Sequence, residues 1–80
     1  MELHYGTLTR YFPDKNYFFI RDDDMGIDVF VHVSGFISRL APPKGTRLRY
    51  HIVPNPRRPG NTMAVDVEPI PAPVVPGVQS

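Results

Sequence analysis

The chain contains no cysteine, and it also lacks the segments that mark secreted and membrane-spanning proteins. Without cysteine there is no disulfide scaffold and no thiolate zinc site, and the composition suits the reducing cytoplasm, where we expect the protein to reside. No apolar run approaches the ~20 residues of a membrane span. Residues 1–4 have neither the basic start nor the apolar stretch of a signal peptide, so we expect no membrane partner.

A strong excess of charge of either sign is missing as well. The chain has 80 residues, enough for one small domain, and a formal net charge of +1. Its charges are unevenly placed, because four aspartates fall within residues 22–28 and four arginines within residues 47–58. Such a chain can still present one basic face, although its long-range attraction of an acidic partner would be modest.

Alternating apolar residues and turn signals predict several short strands and no long helix. We predict these strands at residues 3–11, 16–21, 28–33, 45–53 and 62–68. Pro13-Asp14 and the proline-rich residues 54–61 mark turns. The pattern predicts an all-β fold, a small five-stranded antiparallel barrel over residues 1–68, followed by a loose proline-rich tail at 69–80.

The strand at 45–53 alternates most regularly. Its predicted core-facing residues are Leu48, Tyr50 and Ile52, and its outward residues are Arg47, Arg49 and His51. The outward side chains are either a solvated strand face or contacts for phosphate groups.

Flat rings occupy the outer face of two other predicted strands. With a two-residue period, Tyr17 and Phe19 share one face of their strand, and Phe30 and His32 share one face of the next. The valines of 29–33 take the opposite face and already supply an apolar inner surface. Ordinary core packing is the plainer explanation for these rings. Exposed rings are costly unless something stacks on them, however, so we favour a surface that binds nucleobases.

Neither a metal site nor a catalytic site is predicted. The acidic run at 22–28 resembles the start of a calcium loop, but it lacks an oxygen ligand at Gly26 and the later glutamate, so a solvated hairpin loop is expected. Asp28, His32 and Ser34 are the residue types of a hydrolase triad. Residues two apart on a strand are separated by about 6.5 Å, which is too far for a triad. We expect a protein that is not an enzyme.

Two motifs, in order and spacing, resemble the cold-shock domain, a five-stranded OB-type barrel that binds single-stranded RNA and DNA. That family reads roughly G-x-V-K-W-F-N-x-x-K-G-F-G-F-I and then D-V-F-V-H-x-S. Residues 6–20 read GTLTRYFPDKNYFFI, residues 28–34 read DVFVHVS, and residues 64–67 fit the family's final A-x-x-V. The resemblance covers about residues 4–68.

The resemblance implies a set of nucleic-acid-binding residues. Base-stacking positions fall on Tyr11, Tyr17, Phe19, Phe30 and His32, and the family's lysine falls on Lys15. The family tryptophan is Arg10 here, whose guanidinium plane can also lie on a base. In the loop that follows the fourth strand, Arg57 and Arg58 are candidates for phosphate contacts.

Besides Arg10, the chain departs from the family at other positions of the first motif. Asn16 and Phe18 replace two glycines, and Thr9 replaces the lysine before the tryptophan. Phe18 either fills the barrel interior or crowds the backbone. Arginine in place of the tryptophan should weaken stacking but leave charge attraction, so we predict weaker and more salt-sensitive binding than in a typical relative.

Taken together, the motifs predict a cofactor-free protein that binds single-stranded RNA or DNA with little sequence preference. The resemblance implies RNA-chaperone behaviour, with no small-molecule substrate. The alternative is a protein-interaction OB module, in which a second copy or another protein covers the rings. The proline-rich tail favours this alternative, since such segments serve as docking peptides.

Overall fold

Five strands close into a barrel in the computed structural model, which describes residues 2–70. The strands are β1 (His4–Phe12), β2 (Tyr17–Asp22), β3 (Asp28–His32), β4 (Arg47–Pro54) and β5 (Thr62–Pro69). Their order around the barrel is β1-β2-β3-β5-β4, and neighbours are antiparallel except β3 and β5, which meet in parallel at Phe30 and Met63. The predicted all-β, five-stranded barrel is confirmed, but the expectation that all its strands pair antiparallel is corrected by the parallel contact of β3 and β5.

The barrel interior contains most of the side chains that the alternation assigned to it, although Val33 and Ile52 are only half-buried against the core. The buried core consists of Leu8, Phe18, Ile20, Val29, Val31, Phe36, Leu48, Tyr50, Ala64 and Val67. The two valines of β3 are inside, and Tyr50 is fully buried as predicted. Phe18 is 2% exposed. Of the two predicted alternatives, that its ring fills the barrel interior or that it crowds the backbone, the first is therefore correct.

A β-bulge interrupts β1 in its middle. Leu8 lies opposite Ile20, but Arg10 lies opposite Phe19, so Thr9 is an extra residue in the ladder. Because side chains alternate with a period of two, the extra residue exchanges the inner and outer faces for the rest of the strand. The bulge therefore determines which aromatic residues of β1 reach the outer surface.

The turn between β1 and β2 explains one of the replaced glycines. Pro13–Lys15 forms a single 3-10 turn, and Asn16 ends it with φ of 60°. Asparagine tolerates this left-handed conformation better than most side chains. The Asn16 carbonyl accepts a hydrogen bond from Val33 N–H at 2.8 Å, which ties this turn to the end of β3.

Asp22 corrects the expectation that the whole acidic run is solvated. Its side chain is 1% exposed, and its Oδ2 accepts a 2.7 Å hydrogen bond from the Tyr50 hydroxyl. Its Oδ1 accepts from the N–H groups of Asp24 and Met25, each at 2.9 Å. Burial by itself raises the pKa of Asp22, but these hydrogen bonds outweigh burial and hold the pKa below its ordinary value. The carboxylate therefore joins the β2–β3 loop to β4.

The predicted tail begins where β5 ends. β5 runs to Pro69, and Ile70 N–H donates to the Arg47 carbonyl at 3.0 Å. The rest of the tail, residues 71–80, lies outside the described residues, and the division at 68/69 stays a prediction. Within residues 2–70 no helix has the length and apolar character to cross a membrane.

Candidate nucleic-acid interface

Three rings on β2 and β3 pack together outside the core and are called the ring cluster: Tyr17, Phe19 and Phe30. The register places Phe19 directly opposite Phe30, and Tyr17 directly opposite His32. Ring centroids are 5.7 Å apart for Tyr17 and Phe30 and 5.9 Å apart for each of the other two pairs. These spacings lie within the range of favourable aromatic pairs.

The ring cluster is half-buried, while the valines on the reverse side of β3 are fully buried. The rings shield one another at their edges and still present apolar surface to solvent. The prediction that these rings lie outside the barrel interior is therefore confirmed. A base stacking on them would bury the surface that remains exposed.

His32 is exposed, and the turn that follows it fixes its ring. Ser34 N–H donates to His32 Nδ1 at 3.2 Å, and the Ser34 hydroxyl lies 2.9 Å from the same nitrogen. Because a backbone N–H only donates, Nδ1 acts as an acceptor, which places the hydrogen of the neutral imidazole on Nε2. His32 therefore offers a flat ring with a defined donor beside the ring cluster.

The ring cluster forms one wall of an open groove of about 700 Å³. The groove is lined by Lys15, Tyr17, Phe19, Phe30, His32, Ser34, Asn55, Pro56, Arg57, Arg58 and Met63. One wall comes from β2 and β3, and the other comes from β5 and the loop before it. All but two of the predicted binding residues, Arg10 and Tyr11, line this groove.

The loop that carries Arg57 and Arg58 is held in shape by Asn55. Asn55 is buried, and its side-chain oxygen accepts from Arg57 N–H at 3.0 Å. Its backbone N–H donates to the Asn61 carbonyl at 2.9 Å, which closes the loop at its base. The two arginines are therefore presented by an ordered turn on the far wall of the groove.

Several cations near the ring cluster have no ion pair, as is also true of Arg39 and Lys44 elsewhere among residues 2–70. Within residues 2–70, the cations without an ion pair to a carboxylate include Arg10, Lys15, Arg57 and Arg58. By contrast, Arg21 pairs with Asp28, Arg47 with Asp23, and Arg49 with Glu68.

The sequence left open whether the outward arginines of β4 are solvated or contact phosphate groups. In the structure both arginines form ion pairs within the fold. Arg47 donates to both carboxylate oxygens of Asp23, and these hydrogen bonds lower the pKa of Asp23 below its ordinary value. Arg47 and Arg49 are thus neutralised within the fold. The groove keeps its positive charge available for an anionic ligand.

Tyr11 does not belong to the ring cluster, which corrects the expected position of this residue. It lies opposite Phe18, and its ring packs on the Phe18 ring at 5.0 Å, on the other face of β1 from Arg10. The bulge at Thr9 causes this reversal. Tyr11 is still 41% exposed, at a place separate from the groove.

The same bulge brings Phe12, which the sequence analysis did not select, onto the outer face. Phe12 lies opposite Tyr17, with ring centroids 5.2 Å apart, and its ring is 6.3 Å from that of Phe19. The signal that could have identified it is the bulge, since one extra residue in β1 is enough to exchange Tyr11 and Phe12.

No arrangement of triad type is present at the end of β3. His32 and Ser34 are hydrogen-bonded, but Asp28 lies at the opposite end of the strand and pairs with Arg21. Among residues 2–70 there is also no group of three or more His, Asp or Glu side chains that could hold a metal ion.

The fold is that of a cold-shock domain. The structure is similar to Drosophila Unr CSD456, with a TM-score of 0.73 and 13% sequence identity. The match covers 98% of this chain and 29% of that chain. No protein-family model matches the sequence, and no curated protein matches it. At this identity the likeness establishes the fold alone, a five-stranded barrel of OB type.

Proposed function

We propose that the chain binds single-stranded RNA or DNA in the groove, with unpaired bases stacked on the ring cluster and His32. The observation that carries this proposal is the ring cluster itself, half-exposed on the barrel surface beside unpaired cations. Every base has a flat face, so stacking accepts any sequence. Lys15, Arg57 and Arg58 would contact phosphates.

Double-stranded nucleic acid fits this arrangement less well. In a duplex the flat faces of the bases are stacked on one another, so they cannot lie on protein rings without unstacking. Binding therefore favours unpaired strands and opposes hairpin formation. This difference is the physical basis for a proposed RNA-chaperone role.

Titration of fluorescently labelled oligo-U and oligo-T at low and physiological salt tests the binding. Phe30→Ala and Phe19→Ala each remove one ring of the cluster, and each should weaken binding by about tenfold, which corresponds to ~1.4 kcal/mol. Tyr5→Ala is the matched control, because Tyr5 is an exposed ring at the start of β1, near the acidic loop. Binding that survives both phenylalanine substitutions would rule out stacking.

The charged wall is tested by the salt dependence. Each phosphate contact on a single strand contributes about 0.7 to the slope of log K against log salt. The double substitution Arg57→Gln/Arg58→Gln should therefore lower the slope by about 1.4. Arg21→Gln, at the acidic end of the barrel, should leave the slope unchanged. An unchanged slope in the double variant would remove these arginines from the proposal.

The chaperone role has its own measurement. A hairpin RNA with a fluorophore and a quencher at its ends should open at lower temperature with the protein than without it, and Phe30→Ala should reduce the effect. If wild-type protein binds no oligonucleotide at low salt, the nucleic-acid proposal fails. The protein-interaction module, with a protein partner or homodimer covering the rings, would then be the remaining interpretation.

A further inference from the structure

The outer face of β4 lies apart from the groove and combines exposed apolar side chains with ion pairs. Its neighbours in register belong to β1 and β5: Tyr5 lies directly opposite Arg49, and Arg49 lies directly opposite Glu68. Two residues further along β4, His51 lies opposite Val65. We call this surface the β4 face, and its residues are Leu3, Tyr5, Arg49, His51, Val65 and Glu68. None of these six residues lines the groove.

Apolar surface on the β4 face comes mainly from two residues at the start of the chain. Tyr5 is 41% exposed and Leu3 is 47% exposed. Leu3 precedes Tyr5 by two residues, the spacing at which the side chains of an extended segment return to one side. The adjacent Glu2 carbonyl oxygen lies 3.0 Å from His51 Nδ1, which places Leu3 beside β4. A partner that covers these side chains would remove apolar area from water.

The ion pair in the middle of the β4 face leaves hydrogen-bonding capacity unused. Arg49 Nε donates to Glu68 Oε1, and the two side chains are 42% and 35% exposed. Within residues 2–70 neither side chain makes another hydrogen bond. A guanidinium group has five N–H donors, and a carboxylate has two acceptor oxygens. The terminal nitrogens of Arg49 and the Oε2 of Glu68 therefore remain available to another molecule.

The balance of charge on this face favours a second copy of the chain over a strongly charged partner. Arg49 is balanced by Glu68, and on the same strand Arg47 is balanced by Asp23. A strongly acidic or strongly basic partner would meet like charges here. In an isologous interface each contact occurs twice, so a two-fold copy can meet each charge with its complement. The net charge of +1 adds little repulsion between copies.

We propose that two copies of the chain associate through their β4 faces about a two-fold axis. Arg49 of each copy donates to Glu68 of the other copy, and Tyr5 and Leu3 pack between them. Each copy keeps its groove open, because the β4 face and the groove share no residue. This dimer differs from the alternative in which a second copy covers the rings, and it does not depend on nucleic-acid binding.

Sedimentation velocity of the 80-residue chain at concentrations up to about 1 mM tests the association. Wild-type protein should show a monomer–dimer equilibrium. Arg49→Glu and Glu68→Arg each bring like charges together across the axis, and each should raise the dissociation constant by more than about tenfold. Tyr5→Ala should weaken the dimer by about tenfold and leave the affinity for a short oligo-U unchanged. Circular dichroism verifies that each variant is folded.

An equimolar mixture of the two charge-reversed proteins tests whether the contact is between copies. Arg49→Glu places two carboxylates on the β4 face, and Glu68→Arg places two guanidinium groups there. Each protein repels its own copy and attracts the other, so the mixture should regain the dimer that either protein alone lacks. The control is Arg39→Glu mixed with Asp14→Arg, which makes the same changes of charge at exposed positions away from this face. Those two proteins should dimerise as wild type does, alone and together.

Phe30→Ala separates this dimer from one that covers the ring cluster, and it should dimerise as wild type does. A dimer that is lost in Phe30→Ala and kept in Arg49→Glu would lie at the ring cluster and would overturn the inference. Wild-type protein that stays monomeric up to about 1 mM would also overturn it, as would a mixture of the charge-reversed proteins that does not regain the dimer.

Discussion

Removal of the Tyr50 hydroxyl should destabilise the barrel more than the loss of so small a group suggests. Tyr50 is fully buried and donates at 2.7 Å to Asp22, a carboxylate that is itself 1% exposed. Tyr50→Phe leaves the aromatic packing in place and deprives Asp22 Oδ2 of this donor. Hydrogen bonds to charged groups contribute about 1.5–3 kcal/mol, so we expect a loss of ~2 kcal/mol in the free energy of unfolding.

Thermal unfolding followed by circular dichroism measures this loss. For a domain of this size, 1 kcal/mol corresponds to about 4–8 °C, which predicts a decrease in Tm of roughly 8–16 °C. Tyr5→Phe is the matched control, since Tyr5 is exposed and its hydroxyl should matter little.

The same pair of residues predicts a dependence on pH. The pKa of Asp22 is lower in the folded protein than its ordinary value, so its contribution is present above about pH 4 and is lost as the pH falls through the folded value. The difference in stability between wild type and Tyr50→Phe should therefore be largest near neutral pH and narrow in acid. A Tyr50→Phe protein as stable as Tyr5→Phe, or a difference that does not change with pH, would refute this reasoning.

Three further substitutions test the packing that positions the groove, each by chemical denaturation. Phe18→Ala should cost about 3–5 kcal/mol, enough to unfold a domain of marginal stability, because it empties part of the core. Gly35→Ala should cost about 1–3 kcal/mol, since a new Cβ would lie 2.9 Å from the Ala64 carbonyl oxygen. Asn16→Gly should be nearly neutral, whereas Asn16→Val, at a φ of 60°, should cost about 1–2 kcal/mol. A stable Phe18→Ala protein, a neutral Gly35→Ala or an equal response of the two Asn16 variants would contradict these assignments.

The barrel and the ring cluster could be predicted from local patterns. Alternation placed the valines of β3 inside and Phe30 outside, and the register of β2 against β3 brought Tyr17 and Phe19 beside it. These features depend only on the period of two and on a short hairpin. They need no knowledge of distant contacts.

Features set by irregular backbone or distant partners could not be predicted in the same way. One bulged residue, Thr9, exchanged Tyr11 and Phe12 between the two faces of β1. Asp22 looks like one more solvated aspartate in sequence, but its hydrogen-bond partner Tyr50 comes from β4. The ion pair of Arg47 with Asp23 likewise joins residues far apart in the chain.

The two walls of the groove lie far apart in the order of synthesis. The rings of β2 and β3 leave the ribosome first, while Arg57 and Met63 follow only after β4. A nascent chain that has not yet added β5 therefore lacks both the closed barrel and the second wall. Affinity for the proposed nucleic-acid ligand should consequently arise in a single step, together with the closing of the barrel, and a chain truncated before residue 62 should have neither.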